Sequence, residues 1–578
     1  MGYTVKFITQ FLLGLAILLP QSVLAAAQPG IIRYDTLHHP VIARQGMVVS
    51  QRKIASEIGA EILKSGGNAV DAAVATGFAL AVTLPRAGNL GGGGFMLVYL
   101  AESGETLALD YREMAPALAS RDMFLDEAGN VDQKKARYSA LSSGVPGTVA
   151  GFAYALETYG TMSLAEVLKP AIRLADKGFA VPWDLAEILK ARKSVLTRHP
   201  ATAAAFYKPN GDSYEPGEIL KQKALAKTLK AIAKGGPEAF YGGAIGKLIV
   251  EEIQRGGGVM TLEDLNNYRV QNRPPVKGTY RGFDVVSMPP SSSGGVHIIQ
   301  MLNILEQYPI AEYGANSAQT IHLMTEAMKL AYADRSEYLG DQDFYDVPIA
   351  GLTSKAYAKQ LAQTIQPNQA RPAAEIKAGS PLPFESPDTT HYSVADQYGN
   401  VVANTYTLNF SFGSGIMVTG GGFLMNNEMD DFSAKPGVAN GFGLIGKEAN
   451  AIQPGKRPLS SMTPTLIFKD GAPFVVTGSP GGSRIITTVL QLLVNVMDFN
   501  MNIAEATVQP RFHHQWLPDK LQMEPGHSFD TRVRLEAMGH NVTDSASQGS
   551  LQSIMIEKGL FFGAPDTRRP GAGAVGVN

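Results

Sequence analysis

The sequence predicts a protein of the α+β class. Two stretches read as antiparallel hairpins, Phe95 to Leu100 with Thr106 to Tyr111, and Thr389 to Ala395 with Val401 to Leu408. Between them, from about residue 150 to 265, the chain is largely helical. The chain has no cysteine, so no disulfide can staple a small core and stability must come from burial. With 578 residues, 45% of them hydrophobic, there is ample material for one large core or several ordinary ones. Net charge is −2, with 50 Lys and Arg against 52 Asp and Glu and no basic stripe, which argues against a nucleic-acid surface.

The first residues form a leader. Lys6 precedes the apolar run Phe11 to Leu19, a polar break follows at Pro20-Gln21-Ser22, and Val23-Leu24-Ala25 offers small residues for a signal peptidase. Residues 1–25 are therefore expected to be removed on export to the periplasm or the medium. An N-terminal anchor is the other reading, but the run is short for a bilayer. No later stretch reads as a transmembrane segment.

Val48 to Ser65 reads as a helix ending at Gly66-Gly67, and Asn68 to Val82 as a second, rich in small residues and so suited to burial. Glycines 91–94 lead into the first hairpin. Helices are expected over Phe152 to Tyr159, Leu164 to Lys177, Pro182 to Lys193 and Lys221 to Ala233. Thr261 with Asp264 makes a capping box for a short helix. A strand at Arg281 to Met288 ends in Pro289-Pro290, followed by helices from about Val296 to Glu306 and Ser317 to Asp334. Residues 366–388 hold five prolines and little periodicity, as an exposed linker would. That run stops at Thr389, the first residue of the second hairpin. Further strands at Pro464 to Phe468 and Pro473 to Thr477 lead to Gly478-Ser-Pro-Gly-Gly-Ser483 and a helix from Ile485 to Val496.

Absent cysteine leaves Ser, Thr, Lys or a carboxylate for nucleophilic chemistry. No Gly-x-Ser-x-Gly elbow sits in a strand–helix context, the glycines at 91–94 lack a P-loop lysine, and no His-Glu-x-x-His occurs. The pairs His38-His39 and His513-His514 read as surface or core histidines rather than metal ligands. A threonine made N-terminal by cleavage is another solution. Its α-amine, with an ordinary pKa of about 7.7–8.0, can take the hydroxyl proton. By itself Thr389-Thr390 reads more readily as an ordinary strand start.

The wider context resembles the γ-glutamyltranspeptidase family, of the bacterial periplasmic type. The resemblance rests on Thr389-Thr-His-Tyr-Ser, Asp396-x-x-Gly-Asn400 and Thr405-Tyr-Thr-Leu-Asn409. It extends to Gly66-Gly-Asn-Ala-Val-Asp-Ala-Ala73, Gly88-Asn-Leu-Gly-Gly-Gly-Gly-Phe-Met96, Arg112-Glu-Met-Ala-Pro116, Gly144-Val-Pro-Gly-Thr148, Met288-Pro-Pro-Ser-Ser-Ser-Gly-Gly295 and Tyr332-Ala-Asp-Arg-Ser336. It continues through Asn426-Asn-Glu-Met-Asp-Asp-Phe432, Arg457-Pro-Leu-Ser-Ser-Met462 and Gly478-Ser-Pro-Gly-Gly-Ser-Arg484. It implies a four-layer αββα sandwich of the N-terminal nucleophile hydrolase type. A large piece, 26–388, and a small piece, 389–578, would build one core after the precursor cuts itself at Asp388–Thr389.

The resemblance also implies roles. Thr389 would be the nucleophile of maturation and catalysis, Thr407 the residue orienting it, and Gly481 and Gly482 the oxyanion hole. Arg112 would clamp the donor's α-carboxylate with help from Ser460 and Ser461. Asn409, Glu428 and Asp431 would accept its α-ammonium. Phe442 falls in the lid loop, where the family's pattern has a tyrosine, and Glu428 stands where some members have glutamine. The implied reaction is γ-glutamyl transfer from glutathione or related donors to water, an amino acid or a peptide, with no cofactor and no metal. Two rivals are a β-lactam acylase of the same architecture, which a glutaryl side chain without an ammonium would suit, and an idle binding protein that stays one chain.

Overall fold

A computed structural model of the chain describes residues 36–379 and 390–578. The leader at 1–25, residues 380–388 of the proline-rich run and Thr389 itself lie outside those residues.

Two seven-stranded sheets, antiparallel throughout, form the centre. The first runs Gly573–Val577, Gly46–Ser50, Thr390–Asp396, Val401–Thr407, Gly93–Leu100, Glu105–Tyr111, Gln271–Arg273. The second runs Val41–Ala43, Leu560–Pro565, Gln552–Glu557, Ala472–Thr477, Thr465–Lys469, Phe283–Ser287, Val276–Tyr280. Each sheet takes strands from both sides of residue 389, so the two halves of the chain share one core.

Strand alternation builds the layers. Met47, Val49, Phe95, Leu97, Ala395 and Ala403 point from the first sheet to meet Leu466, Val476 and Ile554 of the second. Their neighbours Val48, Met96, Val98, Val394 and Val402 point outward onto helices. The second sheet's outer face packs in the same way against the helices Gly294–Leu305, Ala318–Tyr338 and Arg484–Met497. With both faces of both sheets covered, the strands are apolar on both sides, and a helix–sheet–sheet–helix sandwich is the packing that buries them all.

Local chemistry sets the elements. Asn68 caps Ala69–Thr83 by accepting from Val70 and Asp71 backbone N–H at 2.9 and 3.0 Å, and Asp71 accepts from the Asn68 N–H at 2.8 Å. Every residue of that helix is buried, which its alanines allow. Ser163 with Glu166 caps Leu164–Lys177, Thr261 with Asp264 caps Leu262–Asn266, and Ser317 caps Ala318–Tyr338.

One expectation needs correcting. Val48 to Ser50 is the end of a strand, and the helix begins only at Lys53. Met47-Val48-Val49 is apolar on both faces and occupies an interior strand, a position whose burial outweighs helical continuation. Helices Pro200–Phe206 and Ala244–Arg255 escaped the sequence reading.

Residues 366–379 carry only a short turn, Ala373–Glu375, and end at a buried anchor. Asp334 accepts from the Gly379 N–H at 2.8 Å through Oδ1, and from Tyr357 and Gln300 at 2.8 and 2.5 Å through Oδ2. Burial, only partly offset by these bonds, raises its carboxyl to about 6. A raised carboxyl contributes stability that is fully present below its unfolded pKa, about 3.9, and is lost as pH rises through its folded value. Between pH 4 and 7, Asp334→Asn is therefore expected to gain roughly 2 kcal/mol on the parent as pH increases. Thermal unfolding across that range reads this directly, and parallel stability curves for the two proteins would reject the assignment.

Candidate active site

The strand Val401–Thr407 ends at the site. Thr390 pairs with Tyr406, so Thr407 continues the ladder at the end where the chain arrives from residue 389. Thr407 accepts from the Asn409 N–H through Oγ1 at 2.7 Å, and its carbonyl accepts from Asn89 Nδ2 at 2.7 Å. The glycine run opposite makes this approach feasible: a Cβ on Gly92 would lie 1.9 Å from the Thr407 carbonyl oxygen.

Gly481 and Gly482 form the loop before the helix Arg484–Met497, at φ +141° and +62°. Only glycine adopts these values without strain. They turn the backbone just ahead of a helix N-terminus, where amide N–H groups lack helical partners. Below the loop lies His391, which the sequence reading did not single out. Its ring would meet a Cβ on Gly478 at 2.5 Å, and its nitrogens engage Thr405 Oγ1 at 2.8 Å and Ser393 Oγ at 3.0 Å. Burial pushes its imidazole down to about 3, so it stays neutral and acts as a rigid support. Its place inside Thr389-Thr-His391 was the available signal.

Arg112 follows the strand Glu105–Tyr111 and is completely buried. It donates through Nη1 to Glu428, through Nη2 to Asp431 Oδ2 at 2.5 Å, and through Nε to the Pro458 carbonyl at 3.0 Å. Glu113 Oε2 lies 3.4 Å from Nη1. The sequence-expected carboxylate clamp and two of the expected ammonium acceptors are thus paired with one another. Three carboxyls face one guanidinium, so the cluster has acid in excess. Burial, with the neighbouring Glu428 charge, pushes the Glu113 and Asp431 carboxyls up. Burial alone would lower the Arg112 guanidinium, but Glu428, Glu113 and Asp431 hold it firmly charged. Four buried acceptor atoms have no hydrogen-bond partner: Glu113 Oε1, Glu428 Oε2, Asp431 Oδ1 and Asn409 Oδ1. Unpaired buried acceptors are costly, and an ammonium with three donors is the chemistry that satisfies such a set. Glu113 was missed from the sequence, although it is the residue after Arg112 in a motif that was noticed.

Asn409 sits at φ +75° and donates from Nδ2 to the Asn427 carbonyl at 2.9 Å, next to Glu428. Ser460 and Ser461 are fully buried just beyond Pro458. Ser460 Oγ accepts from the Met462 N–H at 3.0 Å, and Ser461 Oγ from Arg335 Nη2 at 2.8 Å. Arg335 was also missed, though it lies in the Tyr332-Ala-Asp-Arg-Ser336 stretch. Phe442 stacks on Phe410 with ring centroids 4.4 Å apart and covers Gly482, whose added Cβ would sit 3.1 Å from the ring. The same loop is tied down where Asp430 accepts from the Gly441 N–H at 3.2 Å. Asn409, Phe442 and Gly481 share a cavity of about 200 Å³ with Arg86, Arg484 and Arg569.

Of the histidine pairs, His38 and His39 are exposed. His513 and His514 are buried and bonded to Thr487 at 2.9 Å and Asp519 at 3.1 Å. Among the described residues, His322, Glu326 and His540 bring ligand-type atoms within 4.8 Å of one another. His322 and His540 bond each other at 2.8 Å and Glu326 pairs with Lys329 at 2.5 Å, so these groups already satisfy one another. No helix among the described residues is long and apolar enough to cross a membrane.

A sequence model of the gamma-glutamyltranspeptidase family matches residues 55–576. The glutathione hydrolase proenzyme of Escherichia coli (strain K12) is 56% identical over 536 residues, 92% of each chain. Among solved structures, a cephalosporin acylase from Bacillus halodurans superposes with a TM-score of 0.85 at 29% identity, covering 95% of this chain and 98% of that one. Helicobacter pylori gamma-glutamyltranspeptidase superposes with a TM-score of 0.57 at 45% identity, covering 60% of this chain and 97% of that one.

Proposed function

Because the chain belongs to the γ-glutamyltranspeptidase family, we propose that Thr389 is the residue that cuts the precursor and then carries the γ-glutamyl group. The chain is a γ-glutamyltransferase and glutathione hydrolase that matures by its own cleavage into two pieces of one fold. In maturation, Oγ of Thr389 attacks the Asp388 carbonyl, the acyl group shifts from nitrogen to oxygen, and water hydrolyses the ester. In turnover the same oxygen attacks the γ-amide carbonyl of the donor. The freed α-amine accepts the proton, Thr407 orients the hydroxyl, and the amides of Gly481 and Gly482 stabilise the oxyanion. Water or an amine then takes the γ-glutamyl group.

The donor's amino acid end is held by the Arg112 cluster. Its α-carboxylate takes the guanidinium, with Ser460 and Ser461 adding donors, and its α-ammonium takes Asn409, Glu428 and Asp431. Binding both ends of the zwitterion lets Arg112 exchange carboxylate partners inside the site, which limits the desolvation cost. Phe442 closes over the pocket by ring stacking, without a hydroxyl bond. The pattern of the first residues, a lysine, an apolar run and small residues at 23–25, favours export to the periplasm or the medium.

The observation that carries donor choice is the excess of carboxyl over guanidinium around Arg112. It calls for a substrate cation and disfavours the glutaryl group, which has none. Assaying glutathione beside a glutaryl-cephalosporin tests this. Glutathione hydrolysis is expected to exceed glutaryl release by about 100-fold or more in kcat/KM, the scale of an unpaired buried charge. Preferential glutaryl release would reassign the enzyme to acylase chemistry.

A further inference from the structure

The two sheets end unequally. Strand Gln271–Arg273 covers only residues 108–110 of Glu105–Tyr111, and the chain then leaves the first sheet at Pro274-Pro275. The second sheet continues through Val276–Tyr280. At this edge a cleft of about 490 Å³ opens between the inner faces. Its deep wall is Tyr99, Val286 and Phe468, which continue the apolar layer between the sheets. The Tyr99 and Phe468 rings meet edge to face, with centroids 5.1 Å apart. Toward the opening, the rows that face inward carry polar residues instead: Thr106, Lys277, Thr279 and Asp284. Strand Glu105–Tyr111 runs from Thr106 in this cleft toward Arg112 at the donor site, a span of roughly 20 Å at strand rise, so the two places are separate.

The charges in the cleft are not used by the fold. Lys277 lies opposite Val286 and Asp284 opposite Thr279, which makes the two charges diagonal neighbours, about 7–8 Å apart at the backbone. Neither makes an ion pair or a side-chain hydrogen bond among the described residues. The volume suits a small molecule. A simple cation or anion would answer one charge and leave the other facing it, and an apolar ligand would desolvate both. A zwitterion bearing a ring answers both charges and packs on the aromatic wall. Addition of a peptide strand along the open edge is disfavoured. The Thr279 carbonyl there already accepts from Lys355 Nζ at 2.6 Å, and a lysine on an open edge opposes further pairing.

We propose that this cleft binds a free aromatic amino acid, with its ring against Tyr99 and Phe468, its α-carboxylate at Lys277 and its α-ammonium at Asp284. The site is additional to the γ-glutamyl site and does not depend on the role given to Thr389.

The test is calorimetric titration of the matured full-length enzyme with L-phenylalanine, hydrocinnamate and phenethylamine, the last two each lacking one of the amino acid's charges. L-Phenylalanine is expected to bind about 10-fold more tightly than either, the scale of one charged hydrogen bond, with a Kd of about 1 mM or below. Lys277→Met is expected to erase its advantage over phenethylamine, and Asp284→Asn its advantage over hydrocinnamate. Thr106→Trp, which fills the cleft, is expected to abolish binding of all three. Hydrolysis of γ-glutamyl-p-nitroanilide by each variant is expected at the parent rate, because none of these residues belongs to the donor site. No saturable binding by the parent below about 10 mM overturns the proposal. So does L-phenylalanine binding of equal strength in the parent and all three variants, which would place the amino acid in the γ-glutamyl site instead.

Discussion

A Thr389→Ala protein is expected to remain one chain and to hydrolyse γ-glutamyl donors at least about 10⁴-fold more slowly than the parent, the scale on which nucleophile deletions act. Both losses have one cause. Without Oγ there is no attack on the Asp388 carbonyl, so the α-amine that would serve as base is never released. The parent is expected to give fragments of about 360 and 190 residues once the leader is gone. Mass spectrometry with N-terminal sequencing reads both points at once. An uncut parent, or cleavage of the alanine variant at the same bond, would falsify the assignment of Thr389. The two fragments should stay together in native buffer, because each central sheet interleaves strands from both.

Arg112→Gln is expected to cost more than substrate affinity. Arg112 is the cation shared by Glu113, Glu428 and Asp431, all completely buried. Removing it leaves those carboxyls facing one another, and breaking a buried ion pair from one side typically costs about 3–5 kcal/mol. A fall in thermal stability should therefore accompany a loss of donor kcat/KM of about 100-fold or more. Glu428→Gln provides the contrast. It removes one of three acids and keeps an acceptor oxygen, so the fold should tolerate it while donor KM rises. If Arg112→Gln were as stable as Glu428→Gln, the acid-excess account of this cluster would fail.

Several helices are legible in the residue order alone. Thr261 with Asp264 is readable as a cap, and the helices near Asn68 and Leu164 from their composition and breakers; the structure adds the caps Asn68 with Asp71 and Ser163 with Glu166, whose partners also lie three residues apart. The hairpin at 390–407 was legible for the same reason, since its turn and β-branched strands are local features. Met47–Ser50 shows where that logic stops. Its residues suit either a helix or an interior strand, and pairing with Thr390–Asp396, more than 300 positions away, selects the strand.

The site divides in the same way. Thr389, with its motif neighbours and the glycine pair at 481–482, could be named from residue order. The electrostatics could not. The partners of Arg112 lie 316 and 319 positions along the chain, and what makes them consequential is that all are buried together. Arg86, Arg484 and Arg569 carry no shared motif and meet only at one cavity. Linear order thus specifies the proposed nucleophile, Thr389, because an N-terminal threonine is defined by its place in the chain and the bond before it. Folding specified the charges around it. A carboxyl or guanidinium acquires its role from desolvation and from which opposite charge shares its pocket, and neither exists until distant strands have paired.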